Sequence, residues 1–205
     1  MKLLIAGGGT GGHVFPAIAV AKEWLSRGPE REVVLVGTQR GIETRLVPQA
    51  GLPLETIRVA GLKGKGGVTL LKNLAMLGSG VRDAFAVIKR RQPDVAFGVG
   101  GYAAGPMLLA TWLKGIPNVI FEPNAEPGFT NKALARFAVS IATGYQLSAN
   151  LWGDKAVVTG CPVRPEFFAI PDSNPQRPLR LLITGGSQGA LPINRAVIST
   201  LPLLA

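Results

Sequence analysis

The stretch that decides the fold is LLIAGGGTGGH, residues 3–13, in which four apolar residues run directly into a glycine-rich segment. A helix-like segment, AIAVAKEWL at residues 17–25, follows, so the order is strand, tight glycine turn and helix start. Glycines let the backbone approach an anion closely, and the first N–H groups of a helix have no partner inside the helix. The pattern therefore predicts a turn that holds a phosphate.

Two further segments repeat this order of apolar run, glycine turn and helix start. They are VAFGVGGYAAGP at residues 95–106 and LLITGGSQGA at residues 181–190. Three such turns indicate a protein whose ligands carry phosphate. None of them ends in Gly-Lys-Ser or Gly-Lys-Thr, so the P-loop pattern of nucleotide hydrolases is absent from the sequence.

Apolar runs of strand length alternate with helix-length segments along the chain. The predicted strands are residues 3–6, 33–36, 95–97, 119–121, 139–142, 157–158 and 181–183; the predicted helices are residues 14–26, 42–50, 69–91, 102–114 and 130–137. This alternation predicts an α/β fold, a Rossmann-like parallel sheet with helices on both faces.

The proline-rich segment at residues 165–178 is the predicted linker. We expect a first domain at residues 1–164 and, at residues 179–205, the first strand, glycine turn and helix of a second Rossmann-like domain that is only begun. A segment of about 27 residues is too short to bury its own core, so we expect the chain to be truncated relative to its functional form. The alternative is a single domain that uses residues 179–183 as a further strand.

Composition and charge narrow the class of protein. The chain has 205 residues, 47% of them hydrophobic and 17% charged, which is typical of a globular protein. The net charge of +10 predicts attraction to polyanions such as an anionic membrane or a phosphorylated substrate. The basic residues are scattered, with few aromatic residues among them, so we do not expect a nucleic-acid partner.

The cysteine and histidine counts bear on metals and on the compartment. With one cysteine and one histidine, the chain can form neither an internal disulfide nor a His/Cys zinc site, and we predict no metal and no cofactor. We recognise no signal peptide and no apolar stretch of about twenty residues. These features predict the reducing cytoplasm.

Gly7, Gly9 and Gly12 match the GxGxxG fingerprint of dinucleotide-binding proteins. The second predicted strand ends in LVGTQR, residues 35–40, without the carboxylate that holds the ribose of NAD. Arg40 could hold a 2′-phosphate, which leaves an NADP-dependent oxidoreductase as an alternative. A non-catalytic module that binds a phosphate ligand or a lipid is a second alternative.

His13 is the only histidine, and it stands in the first turn of the helix that the glycine segment opens. Its side chain is expected at the carboxyl end of the sheet, where open α/β sheets bind ligands. A helix N-terminus favours the neutral imidazole, which can act as a base at pH 7. We predict a catalytic or ligand-contacting role; the alternative is a ring that only bonds to nearby backbone.

A second polar cluster lies in FEPNAEPGFTNK, residues 121–132, after a buried strand. Glu122 and Asn124 should therefore emerge at the same edge of the sheet as the glycine turns. Both are candidates for hydrogen bonds to a sugar.

Several segments together resemble the MurG family of glycosyltransferases. They are GGTGGHVFPA at residues 8–17, GGYAAGP at 100–106, EPN at 122–124, PG at 127–128, TNK at 130–132, PVR at 162–164 and GGSQGA at 185–190. These segments follow the family's order along the whole chain.

The resemblance implies a GT-B architecture, in which two Rossmann-like domains face a cleft. It implies an inverting transfer of N-acetylglucosamine from UDP-N-acetylglucosamine to the C4 hydroxyl of an undecaprenyl-diphosphate-linked muramoyl-pentapeptide, in peptidoglycan synthesis. It further implies a peripheral protein on an anionic membrane surface, at the cytoplasmic face of the bacterial inner membrane. A fragment that lacks most of the donor domain is expected to be inactive alone.

The resemblance also assigns roles to individual residues. His13 matches the general-base candidate of the family. The implied donor-binding residues are Thr10, Gly11, Gly12, Asn124, Arg164 and Ser187, and the implied acceptor- or diphosphate-binding residues are Gly101, Tyr102, Glu122 and Asn131. Pro123 replaces the glutamine usual in the family, and because proline lacks an N–H, the hydrogen bonding of this loop should differ.

For membrane docking we expect an apolar patch with a basic rim, formed by LLKNLAMLGSGVR at residues 70–82 and WLK at residues 112–114. The alternative is an amphipathic helix that faces the core.

Overall fold

The structure is a computed structural model that describes residues 1–59, 67–170, 181–185 and 190–203. It divides into two units, Met1–Phe168 and Ala169–Ala205. The first unit ends four residues after the predicted domain boundary, inside the predicted linker. Residues 171–180 lie outside the described part of the chain.

The first unit alternates strands and helices. Its strands are β1 (Lys2–Gly7), β2 (Glu32–Thr38), β3 (Leu54–Ile57), β4 (Val95–Gly100), β5 (Asn118–Glu122), β6 (Ser140–Thr143) and β7 (Ala156–Val158). Its helices are α1 (Gly11–Ser26), α2 (Glu43–Gln49), α3 (Gly67–Arg91), α4 (Ala104–Leu113), α5 (Phe129–Leu134) and α6 (Gln146–Ala149).

The seven strands form one parallel sheet in the order β3-β2-β1-β4-β5-β6-β7. The order runs outward in one direction from β1 and in the other from β4, so it reverses between these two neighbours. This arrangement is the doubly wound, Rossmann-like sheet that the sequence predicts.

Alternating side chains of each strand supply two cores, one on each face of the sheet. On β1, Leu4 and Ala6 pack in the cluster that contains Met107 of α4, whereas Leu3 and Ile5 pack in the cluster built on α1 and α2. Because both faces are covered, the strands are continuous apolar runs. The continuous runs are what made most of the strands recognisable in the sequence.

The structure corrects the strand prediction at two places. It adds β3, which the sequence analysis missed because LETI, at the edge of the sheet, has only four residues and the two in the middle are polar. Residues 181–183, predicted as a strand, are irregular. A strand needs a hydrogen-bonded neighbour, and the second unit has no other strand among its described residues.

The second unit contains α7 (Leu191–Thr200), followed by a short 3-10 helix, Leu201–Leu203. No described side chain of α7 is buried, although Leu191, Ile193 and Ile198 are apolar.

Candidate functional site

Two glycine turns define the candidate site. The first follows β1 and leads into α1, and the second follows β4 and leads towards α4. Because β1 and β4 are the neighbours at which the strand order reverses, both turns lie at the carboxyl edge of the sheet beside the crevice that this reversal opens. The strand-turn-helix order that the sequence predicts is confirmed at both places.

The two turns are packed directly against each other. Gly101 has a φ of +81°, and a side-chain Cβ placed there would collide with the Gly8 carbonyl oxygen. Gly100 has a φ of +89°, and a Cβ placed there would lie 2.9 Å from Nε2 of His13. Glycine is thus required at these positions both by the backbone conformation and by the closeness of the first turn.

His13 lies where the turns meet, in the first turn of α1. Thr10 precedes the helix as its N-cap residue, and its hydroxyl lies 3.1 Å from Nδ1 of His13 instead of capping the helix. The imidazole is half-buried between this hydroxyl and the second turn. The predicted position of His13 at the carboxyl edge of the sheet is therefore what the structure shows.

The surroundings of His13 favour its neutral form. Burial lowers the pKa of the imidazole, while the carboxylate of Glu122, the backbone of Gly8 and the carboxylate of Glu43 raise it by less. The net effect is a pKa below the ordinary value of 6.5. A neutral imidazole at pH 7 can accept a proton, as a general base must.

Glu43, the first residue of α2, is a component that the sequence analysis did not identify. It is only 1% exposed, and its Oε2 accepts the N–H of Gly9 at 2.8 Å. Its Oε1 accepts the N–H of Thr38 at 2.8 Å and the hydroxyl of Thr38 at 2.9 Å. Burial raises the pKa of Glu43, but these hydrogen bonds outweigh it, so the pKa lies below its usual value and the group is a carboxylate at neutral pH.

Glu122, the last residue of β5, is also 1% exposed and holds the loop that follows it. Its Oε1 accepts the N–H of Asn124 at 2.9 Å and the Asn124 side-chain amide at 2.8 Å. Its Oε2 accepts the N–H of Gly128 at 3.0 Å and the side-chain amide of Asn131 at 2.8 Å. Both oxygens of Glu122 thus accept hydrogen bonds from the loop. Pro123 has no N–H to donate, and the nearest backbone donor in the loop is Asn124.

Asn131 is buried beside Glu122. Its amide also donates to the Phe121 carbonyl at 3.1 Å, while its Oδ1 has no hydrogen-bond partner among the described residues. Buried acceptors are nearly always paired, so Oδ1 is suited to a hydroxyl donor from a ligand or water. The remaining predicted site residues of the two turns and the loop are at least partly accessible: Thr10, Gly11, Gly12, Gly101, Tyr102 and Asn124.

Arg164 lies between two aromatic rings near the start of α1. Its guanidinium carbon is 5.2 Å from the ring centre of Phe15 and 5.3 Å from that of Phe167. A guanidinium over aromatic faces is attracted to them and keeps its N–H donors at the ring edges. The structure thus ties Arg164 to the helix that carries His13. Ser187, the remaining predicted donor-binding residue, lies outside the described residues.

A groove of about 810 Å³ runs elsewhere along α1. Trp24, Arg31 and Phe168 are among the residues that line it, and none of the predicted site residues does. The candidate site is instead at the glycine turns, where the half-buried imidazole of His13 and the first N–H groups of α1 lie together.

The fold defines a Rossmann-like α/β protein in which two glycine turns meet where the strand order reverses. Residues 3–143 match the model of the glycosyltransferase family 28 N-terminal domain. The chain therefore belongs to glycosyltransferase family 28.

Individual relatives support the more specific resemblance. UDP-N-acetylglucosamine--N-acetylmuramyl-(pentapeptide) pyrophosphoryl-undecaprenol N-acetylglucosamine transferases are similar to the whole chain: the protein of Pelobacter propionicus is 45% identical and that of Anaeromyxobacter sp. (strain Fw109-5) is 47% identical. The crystal structure of Acinetobacter baumannii MurG is similar to 98% of the chain at 33% identity, with a TM-score of 0.76. The resemblance to the MurG family and the GT-B type of fold are thereby confirmed.

The similarity covers all or nearly all of this chain but only part of each relative. The chain corresponds to 60% of the Pelobacter protein, 55% of the Anaeromyxobacter protein and 56% of the Acinetobacter chain.

Proposed function

We propose that this chain supplies the acceptor-binding half, and the beginning of the donor-binding half, of a MurG-type transferase. Its reaction is the transfer of N-acetylglucosamine from UDP-N-acetylglucosamine to the C4 hydroxyl of a lipid-linked muramoyl-pentapeptide. The observation that carries the proposal is the position of His13, a neutral imidazole held where the two glycine turns meet. The printed activity of relatives that match the whole chain supports the choice of substrates.

His13 takes the proton in this proposal. The acceptor hydroxyl gives its proton to the imidazole while its oxygen attacks C1 of the donor sugar. The bond between C1 and the diphosphate oxygen breaks, and its electron pair leaves with UDP. Attack from the side opposite the leaving group inverts the configuration at C1, and two buried carboxylates stabilise the imidazolium that forms.

Arg164 and the helix N-termini provide the groups that stabilise negative charge. The backbone N–H groups of Gly11 and Gly12, at the positive end of α1, have no acceptor among the described residues. Arg164 adds a permanent positive charge beside α1, because its guanidinium lies over the ring of Phe15 on that helix. Such groups bind diphosphates, which both proposed substrates carry. Asn124, Tyr102 and Asn131 are the proposed contacts for sugar and diphosphate oxygens.

The test of this function joins residues 1–205 to the remaining C-terminal part of the Anaeromyxobacter relative. We expect this chimera to transfer labelled N-acetylglucosamine to lipid-linked acceptor. His13→Asn in the chimera should lower kcat by about 100-fold or more, with little change in donor affinity, because a general base contributes about 10²–10⁴ to the rate.

A Glu55→Gln chimera is the control, since Glu55 on β3 pairs with Arg90 and Arg91 and should leave transfer intact. A chimera that is folded and binds UDP but transfers nothing contradicts the proposed substrates. Full activity in the His13→Asn chimera contradicts the proposed base.

A peripheral membrane position is the second part of the proposal. Among the described residues, no helix has both the length and the apolar character needed to cross a bilayer. Trp112 and Leu113 at the end of α4 are 45% and 55% exposed, and Trp112 packs on Phe137 with ring centres 4.4 Å apart. The cations Lys114 and Arg136 lie over neighbouring rings, so apolar and basic groups adjoin. The side chains of residues 70–77, predicted to share this patch, lie outside the described residues.

Vesicle binding tests the membrane proposal. We expect the 205-residue chain to sediment with vesicles rich in phosphatidylglycerol and less with phosphatidylcholine alone, because each basic residue near an anionic surface contributes about 1 kcal/mol. Trp112→Glu should reduce binding to the anionic vesicles. Leu147→Glu changes an apolar residue on α6 that is 66% exposed, more than Trp112, and should not reduce binding. Equal losses in the two variants contradict a specific docking surface at Trp112.

A further inference from the structure

Glu43 carries a role that neither the family resemblance nor the proposed reaction assigns to it. It touches no predicted ligand position, yet it is buried and uses both carboxylate oxygens on the backbone and side chain of its neighbours. We infer that Glu43 is a positioning residue for His13: it fixes the first glycine turn in the place from which that turn presents the imidazole.

The chain makes room for this carboxylate with glycines. A Cβ placed at Gly8, Gly37 or Gly41 would collide with the carboxyl group of Glu43. These three glycines come from the first turn, from β2 and from the segment before α2. The carboxylate therefore fills a cradle of bare backbone, in which any larger residue would displace it.

The contact with Gly9 transmits the position of Glu43 to His13. Gly9 is the residue before Thr10, and the Thr10 hydroxyl lies on Nδ1 of His13. On the other side, Gly8 packs against Gly101 of the second turn. The turn is thus held between Glu43 behind it and the second turn in front of it, and His13 lies at that front contact.

Charge gives Glu43 a second effect on His13. Two titratable groups act on the imidazole, Glu43 from α2 and Glu122 from β5. Both carboxylates favour the protonated ring and oppose the effect of burial. Glu43 therefore combines a mechanical and an electrostatic influence on the one group that must gain and lose a proton.

This inference rests on the proposed function only where it calls His13 the base. The position and the titration of His13 can be measured without any transfer reaction. A failure of the inference is therefore distinguishable from a failure of the proposed function.

The test is the pH titration of His13 by nuclear magnetic resonance in the 205-residue chain without a histidine tag. His13 is the only histidine, so the Cε1–H signal needs no assignment. In Glu43→Gln the negative charge is lost. One of the two carboxylate oxygens becomes an NH₂ group, which cannot accept the hydrogen bonds that this oxygen accepts in the unchanged protein. We expect the midpoint of the His13 titration to fall and the exchange of the Gly9 amide hydrogen to quicken.

Glu43→Asp separates charge from contact. Aspartate keeps the charge but is one methylene shorter, so it cannot reach Gly9 and Thr38 together. We expect faster exchange at Gly9 with a His13 midpoint closer to that of the unchanged protein. Glu55→Gln is the matched control, since Glu55 on β3 pairs with Arg90 and Arg91 and should leave the His13 midpoint unchanged.

An unchanged His13 midpoint in Glu43→Gln overturns the inference. Equal midpoint shifts in the glutamine and aspartate variants would support positioning over charge, because both variants disturb the turn and only the glutamine variant removes the charge.

One measurement needs no variant and remains decisive if the variants do not fold. Gly9 and Gly12 are both exposed, but only the Gly9 N–H has an acceptor among the described residues. Hydrogen exchange at Gly9 should be at least about 10-fold slower than at Gly12. Equal rates would show that Glu43 does not hold the turn.

Discussion

Glu43 and Glu122 are two carboxylates of equal burial that act on the same histidine from opposite sides of the site. Glu43 accepts hydrogen bonds from Gly9 and Thr38, mainly from backbone, and lies in a cradle of glycines. Glu122 accepts from the side chains of Asn124 and Asn131 as well as from backbone. The first therefore fixes the position of a backbone turn, and the second fixes the side chains of two residues that we propose as ligand contacts.

The two glutamates show that the burial of a carboxylate does not reveal its structural role. The groups that donate hydrogen bonds to the carboxylate do reveal it. A carboxylate that accepts from backbone N–H groups holds the chain in place and affects a ligand only indirectly. A carboxylate that accepts from side-chain amides orients side chains that a ligand could contact. Replacing either glutamate should thus disturb different observables.

The largest effect on stability should come from Glu122→Gln. The new amide group would face the donors of Gly128 or Asn131, and the loss of paired buried donors should lower the free energy of unfolding by about 3 kcal/mol. Urea denaturation followed by circular dichroism measures this loss. Glu43→Gln removes fewer partners and should cost about 2 kcal/mol.

The order of these two losses is open to contradiction. A larger loss in Glu43→Gln than in Glu122→Gln would mean that the first turn, and not the loop after β5, is the stronger element of the site. Conversely, Gly9 exchange should respond to the Glu43 change and remain unaffected by the Glu122 change.

The contact between the two turns can be broken at Gly101. Gly101→Ala forces a Cβ onto the Gly8 backbone at a φ of +81° and should cost about 2–3 kcal/mol of unfolding free energy. Gly115 has a similar φ of +71°, with no atom within 4 Å of an added Cβ, so Gly115→Ala should cost only about 1 kcal/mol. Thermal unfolding of the two variants isolates the contribution of the contact. Equal losses would mean that the turns are independent.

The pH dependence of stability should show the smallest effect. The pKa of folded His13 lies below the ordinary 6.5 of the unfolded chain, so between these values the unfolded state binds more protons. Stability therefore falls as the pH is lowered through this window and is recovered above about 6.5. Urea titrations at pH 5.5 and 7.5 should show this difference, and His13→Asn should reduce it.

Asp83 does not complicate this comparison. Arg58 lowers its pKa from 3.8 to about 2, and both values lie below the window in which His13 titrates. If His13→Asn and the unchanged protein lose the same free energy of unfolding on acidification, His13 is not the group that causes the pH dependence.

The fold was largely predictable from the sequence because buried parallel strands are continuous apolar runs. Residues 33–36 and 119–121 were found in this way, and the structure extends them to β2 and β5. The edge strand β3 escaped because it has only four residues, of which Leu54 and Ile57 are apolar and the two between them are polar. Residues 181–183 have the composition of a strand, but pairing partners, not composition, decide whether a strand forms.

The positions of candidate site residues were predictable where the ends of neighbouring strands meet at one edge of the sheet. Glu122 and Asn124 were placed there from the end of a strand, and His13 from the glycine turn after β1, while their roles stay predictions. Glu43 lies in the next helix, and only its three-dimensional contact with Gly9 reveals its part. The one available signal was a glutamate soon after Gly37 and Gly41, and those glycines become informative only once the cradle is seen.

The hydrogen bond from Gly9 to Glu43 changes the meaning of the glycine fingerprint at residues 7–12. In a dinucleotide-binding protein this turn offers its amides to a pyrophosphate. Here the Gly9 amide already donates its hydrogen bond to the carboxylate of Glu43. A phosphate brought to the same point would be repelled by that negative charge. The carboxylate of Glu43 thus occupies a hydrogen-bond donor that a dinucleotide's pyrophosphate would need. Converting the domain into a dinucleotide binder would first require removing Glu43.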